Sequence, residues 1–575
     1  MSRAIKKTNI IHLCMIILIL LYTLWNISKL NGISVLNDEF GYWSVAASIV
    51  GYDWTPLIEA TPYYSFGYSL FLAAILFFVD NMVIAYKVAI FLNGLFLVAS
   101  YFCCCYCIKK LFYEKSNFVV SIISSVTILY SGNIFYSQIA WSETLLMLLM
   151  WVSFSIFISL EKKITWWKIL FFSCSLGYMY IVHQRTIGII IAAVIVLVLL
   201  LWKKKTNFIY FIFPFVILGG ILGIQILVKE NLLDTLWSHS VISNTNNVGI
   251  NKDSISKVLS AFAGEILWLI KSIGGKVYYL IVATAGIFVL SVVKIIKYYF
   301  YKLKNKQYKE ASLAYLFAFL SICAMIMICA IQTKNPLERL DYIVYSRYME
   351  NALGPVLLIG IYSISENKKK ENVFAFSVVF FLFLVGSHYV KNIMIDSGST
   401  FFNTVCSPVI GAFMECSENI SHFFRIMSLV VIVIILIIMI ISSINFLNKY
   451  KIVVPLILII YWGGITNFAL QGEYTWRREV EENILCFLDE IEKQEGLELY
   501  YLVSPNDYYS RYPKFLQYYI PRKTIRLITM DEVEKLSEDN KEYILFVNNK
   551  DNIELKQESI MLKDSKYMHM YKVNK

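Results

Sequence analysis

The sequence predicts a polytopic α-helical membrane protein of about 13 transmembrane helices, with a small C-terminal α/β domain outside the membrane. Hydrophobic residues make up 58% of the chain and charged residues only 16%, whereas soluble proteins carry roughly a quarter charged residues. Apolar runs long enough to cross a hydrocarbon core of about 30 Å recur along the chain. The formal charge of +11 therefore indicates topology and anionic lipid headgroups and gives no reason to expect a nucleic-acid partner.

The apolar runs define the predicted transmembrane helices in chain order. The first run follows Arg3, Lys6 and Lys7 and lacks a small-residue cleavage site, so we interpret it as an uncleaved anchor. The run at 65–79 is short for a span and is predicted to be a re-entrant or juxtamembrane helix. The spans are predicted at 9–29, 82–108, 117–138, 143–160, 167–183, 187–202, 207–228, 277–296, 311–331, 351–365, 372–389, 426–447 and 452–470.

The distribution of lysine and arginine predicts the topology. If 65–79 does not cross, these residues concentrate in the short segments on one side, while the opposite segment 30–81 holds none. The positive-inside rule then places the amino terminus in the cytoplasm and the carboxyl terminus outside. The protein is predicted to be a multi-pass protein of the cell membrane, with 1–470 as its transmembrane module and 30–81 and 229–276 as outer loops.

Charged side chains from distant parts of the chain are predicted to meet at the outer face. Asp38 and Glu39 follow the first span, and Glu143 begins the fourth. Such carboxylates can deprotonate an acceptor hydroxyl or, as Asp38 and Glu143 together, hold a divalent cation such as Mg or Mn. For Asp38 and Glu39 the alternative is a solvated loop pair. For Glu143 it is a helix N-terminal charge beside Ser142.

Two arginines are predicted on the same face. Arg185 interrupts a long apolar stretch, and Arg347 precedes the tenth span. A guanidinium can bind phosphate oxygens through two parallel hydrogen bonds, although snorkelling to the interface would also explain its position. Carboxylates opposite arginines suit a donor that carries both a sugar and a phosphate, and the chain contains no nucleotide-binding fingerprint.

The C-terminal part of the chain, 471–575, is predicted to be the extracytoplasmic α/β domain. Charged residues increase from Gln471, and the apolar runs become shorter. Trp476, Arg477 and Arg478 near its start are interpreted as interfacial anchors or as contacts to lipid phosphate. Strands are predicted at 497–503, 524–528, 543–547 and 567–573, with a helix at 531–536.

Five short motifs resemble those of the GT-C superfamily of membrane glycosyltransferases, and most closely the protein O-mannosyltransferase and aminoarabinose transferase (ArnT-like) group. The most specific is the Asp-Glu pair just after the first span. The others resemble an aromatic Pro-Tyr segment, an acidic second outer loop, a Thr-Arg/Lys-x-x-Gly segment and an Arg-Tyr segment followed by proline. In chain order the motifs are Asn37-Asp38-Glu39-Phe40-Gly41-Tyr42, Thr61-Pro62-Tyr63-Tyr64, Trp141-Ser142-Glu143-Thr144, Gln184-Arg185-Thr186-Ile187-Gly188 and Ser346-Arg347-Tyr348 with Pro355 beyond.

The resemblance implies a GT-C-like fold and an inverting transfer from a polyprenyl-phosphate sugar to an envelope glycan, lipid or protein acceptor on the extracytoplasmic face. Asp38 would be the catalytic base, with Glu39 beside it in the catalytic pair. Substrate would be bound by Glu143, Arg185, Arg347, Tyr42, Tyr63 and Tyr348. The departing phosphate leaves as an anion, so the two arginines would stabilise it without a general acid. Beyond the divalent cation, no cofactor is implied.

Two alternatives use the same membrane setting. A lipid-linked polysaccharide ligase or polymerase would rely on arginine and histidine in a late outer loop, where this chain offers His239. A non-enzymatic transporter or flippase of lipid-linked sugars would carry charged residues within its spans and internal repeats. The sugar and the acceptor stay open at this point.

Overall fold

The computed structural model describes most of the chain and shows a helical membrane module joined to a small mixed sheet. The residues that it does not describe are 1, 35, 59–60, 62–64, 238–265, 308–311, 334–338, 365–368, 400, 416, 418, 444–452, 495, 504–510, 539–540, 550–558 and 575. Tyr63 and His239 lie among these positions, as does most of the predicted outer loop 229–276.

Every run predicted as a transmembrane span overlaps a helix in the described part of the chain. The α-helices are Ser2–Leu24, Asn37–Ile49, Thr55–Ile58, Ser69–Phe78, Met82–Leu111, Asn117–Ile128, Ser131–Ser137, Glu143–Lys162, Trp166–Val182, Ile187–Lys203, Ile209–Leu236, Ile266–Ala283, Ile287–Lys304, Leu313–Gln332, Arg347–Ile364, Lys369–Asp396, Pro408–Glu415, Ile420–Ser443, Val453–Leu485, Leu488–Lys493, Tyr512–Tyr519 and Met530–Glu538.

The count of spans is lower than predicted when length and apolarity are both required. In the described residues 10 helices meet the requirement, or up to 11 if the pair Asn117–Ile128 and Ser131–Ser137, bent by 61°, is one span. Trp166–Val182 is too short, with 17 residues. Arg347–Ile364 carries Arg347, Glu350 and Asn351 in its first turns, which lowers its mean hydropathy. The chain is thus a multi-pass membrane protein in which two predicted spans are shorter or more polar than an ideal one.

The predicted span at 277–296 is wrong as a single helix. The structure breaks it between Ile266–Ala283 and Ile287–Lys304. At the break Ala285 has φ 48° and Gly286 has φ 82°, both in the left-handed region. Glycine adopts this conformation without steric cost, so Gly286 permits the turn. The hydropathy pattern could not reveal the break because both halves are apolar.

Two short helices lie outside the predicted spans, within the predicted outer loop 30–81. Ser69–Phe78 has 10 residues, too few to cross a bilayer, in agreement with the prediction that 65–79 does not span the membrane. Asn37–Ile49 begins at the Asp-Glu motif and buries most of its residues, from Glu39 to Ala47. It packs against Ser69–Phe78 and, through Trp43, against the C-terminal part of the chain.

The C-terminal domain contains a five-stranded mixed sheet. Its strands are β1 (Glu498–Leu502), β2 (Ile525–Ile528), β3 (Tyr543–Asn548), β4 (Ser559–Asp564) and β5 (Met568–Val573), in the spatial order β2-β1-β3-β5-β4. The first three are parallel, whereas β5 runs antiparallel to β3 and β4. Four of the strands were predicted; β4 was missed because its mostly exposed residues give no alternating pattern.

No break in structure marks the predicted domain boundary at 470/471. The helix Val453–Leu485 has 33 residues and continues from the last span into the C-terminal domain. The change in composition at Gln471 therefore marks a change in the surroundings of one continuous helix.

Candidate active site

Asp38 lies in the first turn of Asn37–Ile49, at the edge of a cluster of charged side chains. Its side chain is 29% exposed, which leaves it accessible from outside the cluster. Its Oδ2 accepts a hydrogen bond from Nη1 of Arg347, a residue 309 positions later in the chain. A carboxylate in the first turn also complements the helix dipole.

Glu143 forms the buried centre of the same cluster. Its side chain is 1% exposed, and its Oε1 accepts a hydrogen bond from Nε of Arg347. On the other oxygen, Arg185 Nη2 lies 2.7 Å from Oε2 as an ion pair. Arg347 therefore joins Asp38 to Glu143, and Glu143 joins Arg347 to Arg185. Two carboxylates and two guanidinium groups from four separate elements balance each other's charge.

Aromatic rings hold the two guanidinium groups in place. The Arg347 guanidinium lies over the ring of Trp141, 3.8 Å from its centroid, and that of Arg185 lies over Tyr348 at 4.4 Å. Such stacking leaves the edges of a guanidinium available to a planar acceptor group. Nε and Nη1 of Arg185 and Nη2 of Arg347 are buried without a hydrogen-bond partner among the described residues. The cluster therefore has buried donors that would suit an anion.

Tyr42 and Tyr348 both lie at the cluster, in different roles. Tyr42 donates to Ser142 Oγ at 2.9 Å, and Ser142 donates to Glu143 Oε2 at 2.8 Å. The Tyr42 side chain is fully buried. Tyr348 contributes the aromatic ring on which the Arg185 guanidinium stacks. The position of Tyr63 lies outside the described residues.

Glu39 points away from the cluster that contains Asp38. It is fully buried, and its Oε1 accepts hydrogen bonds from Tyr86 Oη and from the amide of Ala140, both at 2.8 Å. Its Oε2 accepts from the amide and the hydroxyl of Ser34. The structure thus separates the two members of the Asp-Glu pair, because neighbouring residues of a helix point in directions about 100° apart.

His183 lies next to Arg185 in the turn between two membrane helices. Burial lowers the pKa of His183 well below its usual value, and the nearby charge of Arg185 lowers it further. The neutral ring can accept a hydrogen bond, and its Nδ1 lies 3.3 Å from the amide nitrogen of Arg185. His183 therefore orients the Arg185 backbone.

The predicted pair of metal ligands, Asp38 and Glu143, does not fit a divalent cation as it is arranged. Both carboxylates bind the guanidinium of Arg347, which occupies the position between them. Within the described ranges, no group of three or more His, Cys, Asp or Glu side chains could hold a metal ion. The use of Mg or Mn by this site stays a prediction for which these side chains give no support.

Glu350 is a buried acid that the sequence reasoning did not single out. It lies one turn beyond Arg347 and is 1% exposed. Its Oε1 accepts from Tyr279 at 2.7 Å and Tyr130 at 3.1 Å, and its Oε2 has no partner within the described parts of the chain. Its spacing of three residues from Arg347 placed it near the site, but sequence alone did not show which tyrosines approach it.

Replacement of Glu350 by glutamine is expected to keep or raise the thermal stability. The amide retains an acceptor for Tyr130 and Tyr279 and buries no charge. Glu350→Ala is expected to lower the free energy of unfolding by about 1–3 kcal/mol, because it leaves both hydroxyls unpaired. Thermal unfolding in detergent measures both changes. A glutamine variant that is as unstable as the alanine variant would show that an ionised carboxylate is needed there.

Comparison with known proteins gives matches in structure alone. No protein-family model and no curated protein matches the sequence. The structure is similar to that of ArnT from Cupriavidus metallidurans bound to undecaprenyl phosphate, with a TM-score of 0.56, 10% identity and coverage of 98% of this chain and 97% of that one. The apo structure of the same ArnT gives a TM-score of 0.56 at 11% identity, with 99% and 98% covered.

The likeness extends over both the membrane module and the C-terminal domain, because nearly all of each chain is covered. At such low identity it concerns the fold and leaves the reaction open. The chain therefore has an ArnT-like fold, and the fold that the motifs implied is confirmed.

Proposed function

We propose that the protein is a membrane glycosyltransferase that moves a sugar from a polyprenyl-phosphate donor to a hydroxyl group of an envelope acceptor. The observation that carries this proposal is the pair of buried guanidinium groups, Arg185 and Arg347, whose open N–H donors lie in the same cluster as Asp38. A phosphate needs such donors, and a hydroxyl nucleophile needs a nearby base.

In this reaction Asp38 takes the proton of the acceptor hydroxyl as its oxygen attacks the anomeric carbon of the donor. The new C–O bond forms while the bond between the anomeric carbon and the phosphate oxygen breaks. Attack from the face opposite the phosphate inverts the anomeric configuration. Polyprenyl phosphate leaves with the bonding electron pair and one more negative charge.

The ion pairs suggest how that additional charge is stabilised. In the resting cluster, Arg347 binds both Asp38 and Glu143. Asp38 becomes neutral once it has taken the proton of the acceptor hydroxyl, and its ion pair with Nη1 of Arg347 is then weaker. The guanidinium is then available to the departing phosphate when the phosphate gains charge, which is the condition for transition-state stabilisation.

The remaining side chains orient this machinery. Glu143 keeps Arg185 and Arg347 at a fixed separation, and the hydrogen-bond chain from Tyr42 through Ser142 orients Glu143. Trp141 and Tyr348 support the guanidinium planes. In this proposal Glu143, Tyr42 and Tyr348 act on the substrate through the arginines.

Two further considerations support a lipid-linked donor. The structurally similar ArnT was crystallised with undecaprenyl phosphate, the type of molecule that this reaction would release. The positive-inside pattern predicts that the cluster lies on the extracytoplasmic face, with the amino terminus in the cytoplasm and the carboxyl terminus outside. Lipid-linked sugars and envelope acceptors would meet there.

Undecaprenyl phosphate is expected to raise the melting temperature of the purified wild-type protein and to do so much less in Arg185→Met. Loss of charged hydrogen bonds worth about 1.5–3 kcal/mol corresponds to binding that is about 10- to 150-fold weaker. Each shift is measured from the variant's own melting temperature, so a stability change from the lost Glu143 contact is separated from binding.

Arg526→Met is the matched control, because Arg526 is 55% exposed in the sheet domain. It should bind undecaprenyl phosphate like the wild type. An equal ligand-induced shift in Arg185→Met and Arg526→Met would contradict the phosphate role of Arg185.

A further inference from the structure

We propose that Arg477, on the long C-terminal helix, is a positioning residue of the active site that acts through Tyr86 and Glu39. The predicted effect of Arg477 on catalysis rests on the proposed function, whereas the hydrogen-bond network does not. Its structural basis is a buried chain of hydrogen bonds. The chain begins at Arg477, which is 4% exposed, and ends at the two segments that precede the helices of Asp38 and Glu143.

Glu39 joins these two segments through its hydrogen bonds. It accepts from Ser34, which precedes the helix of Asp38, and from the amide of Ala140, three residues before Glu143. With the hydroxyl of Tyr86, four hydrogen-bond donors contact its two oxygens. Both oxygens therefore act as acceptors, which is the hydrogen-bonding pattern of an ionised carboxylate. Glu39 therefore fixes the distance between the base and the arginine cluster and contacts no substrate in this proposal.

A buried carboxylate needs a counter-charge, and Arg477 is the nearest source in this network. Nη1 of Arg477 donates to Tyr86 Oη at 2.9 Å, and the same hydroxyl donates to Glu39 Oε1 at 2.8 Å. One hydroxyl can serve both contacts, since it is a donor and an acceptor at once. Nε of Arg477 also donates to Glu473 at 2.8 Å, which fixes the guanidinium.

The C-terminal part of the chain holds the Asp38 helix at two more points. Lys514 Nζ donates to Asn37 Oδ1 at 3.1 Å, at the first residue of that helix. Tyr518 packs edge-on against Trp43, with centroids 5.2 Å apart, and its hydroxyl donates to the carbonyl oxygen of Met82. These contacts and Arg477 make the C-terminal part of the chain a component of the active site.

The test compares Arg477→Met with the double variant Glu39→Gln/Arg477→Met in the purified full-length protein. Arg477→Met is expected to lower kcat by about 10- to 100-fold, because small displacements of reacting groups cost rates of this size. The KM for the donor should stay within about twofold, since Arg477 does not touch substrate in this proposal. Its melting temperature should fall. That of the double variant should recover in part, because Glu39→Gln removes the buried charge on Glu39 while Glu473 still lacks its arginine partner.

Arg478→Met is the matched control. Arg478 is the next residue on the same helix, is 79% exposed and pairs with Glu482 on the surface, so kcat and melting temperature should both match the wild type. Arg477→Lys keeps the positive charge and should retain most of kcat. This variant keeps the inference testable if Arg477→Met does not fold. All kinetic measurements are made well below the lowest melting temperature.

The outcomes separate this inference from the proposed function. Recovery of the melting temperature in the double variant would support the charge coupling even if the wild type transferred no sugar, in which case the proposed function alone would fail. If Arg477→Met behaved like Arg478→Met in both measurements, or lowered stability without recovery in the double variant, the inference would be overturned. A raised donor KM with unchanged kcat would also overturn it, by making Arg477 a substrate ligand.

Discussion

Asp38→Asn is expected to lower kcat for sugar transfer by about 10²- to 10⁴-fold, the usual contribution of a general base. Asparagine has nearly the same shape and can still accept a hydrogen bond from Arg347, but it cannot take the acceptor's proton. The donor KM and the melting temperature should therefore change much less than kcat. The measurement is transfer from a panel of synthetic polyprenyl-phosphate sugars by purified protein in nanodiscs, with envelope extract as the source of acceptors.

Asp53→Asn provides the comparison for this experiment. Asp53 is an exposed acid of the same predicted outer loop, 30–81, and its Oδ1 accepts only a local hydrogen bond from the amide of Thr55 in the described contacts. Its replacement should leave kcat unchanged. Full activity in Asp38→Asn would exclude Asp38 as the base, and no transfer by the wild type with any donor would remove the basis of the proposed function.

Arg347→Met is expected to abolish measurable transfer and to lower the free energy of unfolding by about 3–5 kcal/mol, the cost of removing one partner from a buried ion pair. Arg347 is 5% exposed and binds both Asp38 and Glu143. Without it the cluster holds two carboxylates and one guanidinium, and the departing phosphate loses a donor. Thermal unfolding in detergent and the transfer assay measure the two effects.

Arg347→Lys separates charge from geometry. Lysine keeps the charge, so part of the stability should return, but an ammonium group cannot contact two carboxylates through a planar fork while it stacks on Trp141. We therefore expect stability to recover more than kcat. Equal recovery of both would show that Arg347 contributes only charge, and an active Arg347→Met would remove it from the proposed mechanism.

The charged residues of the cluster could be selected from the sequence, but their contact partners could not. Asp38, Glu143, Arg185 and Arg347 were selected because each interrupts apolar sequence at a predicted outer face, and in the structure they lie in one cluster. That Arg347 contacts both carboxylates depends on the packing of helices that are far apart in the chain. No local pattern encodes this contact.

Other features could not be predicted from local sequence for definite physical reasons. Arg477 was interpreted as an interfacial anchor or a contact to lipid phosphate. In the structure its guanidinium points inward to Tyr86, while its neighbour Arg478 is exposed. Only the rotation of that helix, set by tertiary packing, distinguishes the two arginines. The break at Ala285 and Gly286 likewise depends on backbone angles that hydropathy does not report.

The helix Val453–Leu485 has a consequence for how the protein can be divided. A helix of 33 residues is about 50 Å long, and a bilayer core takes up only about 30 Å of that length. The sheet is therefore connected to the membrane module by a continuous, stiff helix rather than by a flexible linker. A soluble fragment that begins at residue 471 would divide this helix near its middle and separate Arg477 from Tyr86. It would also expose the side chains of Tyr518 and Lys514, which contact the membrane module.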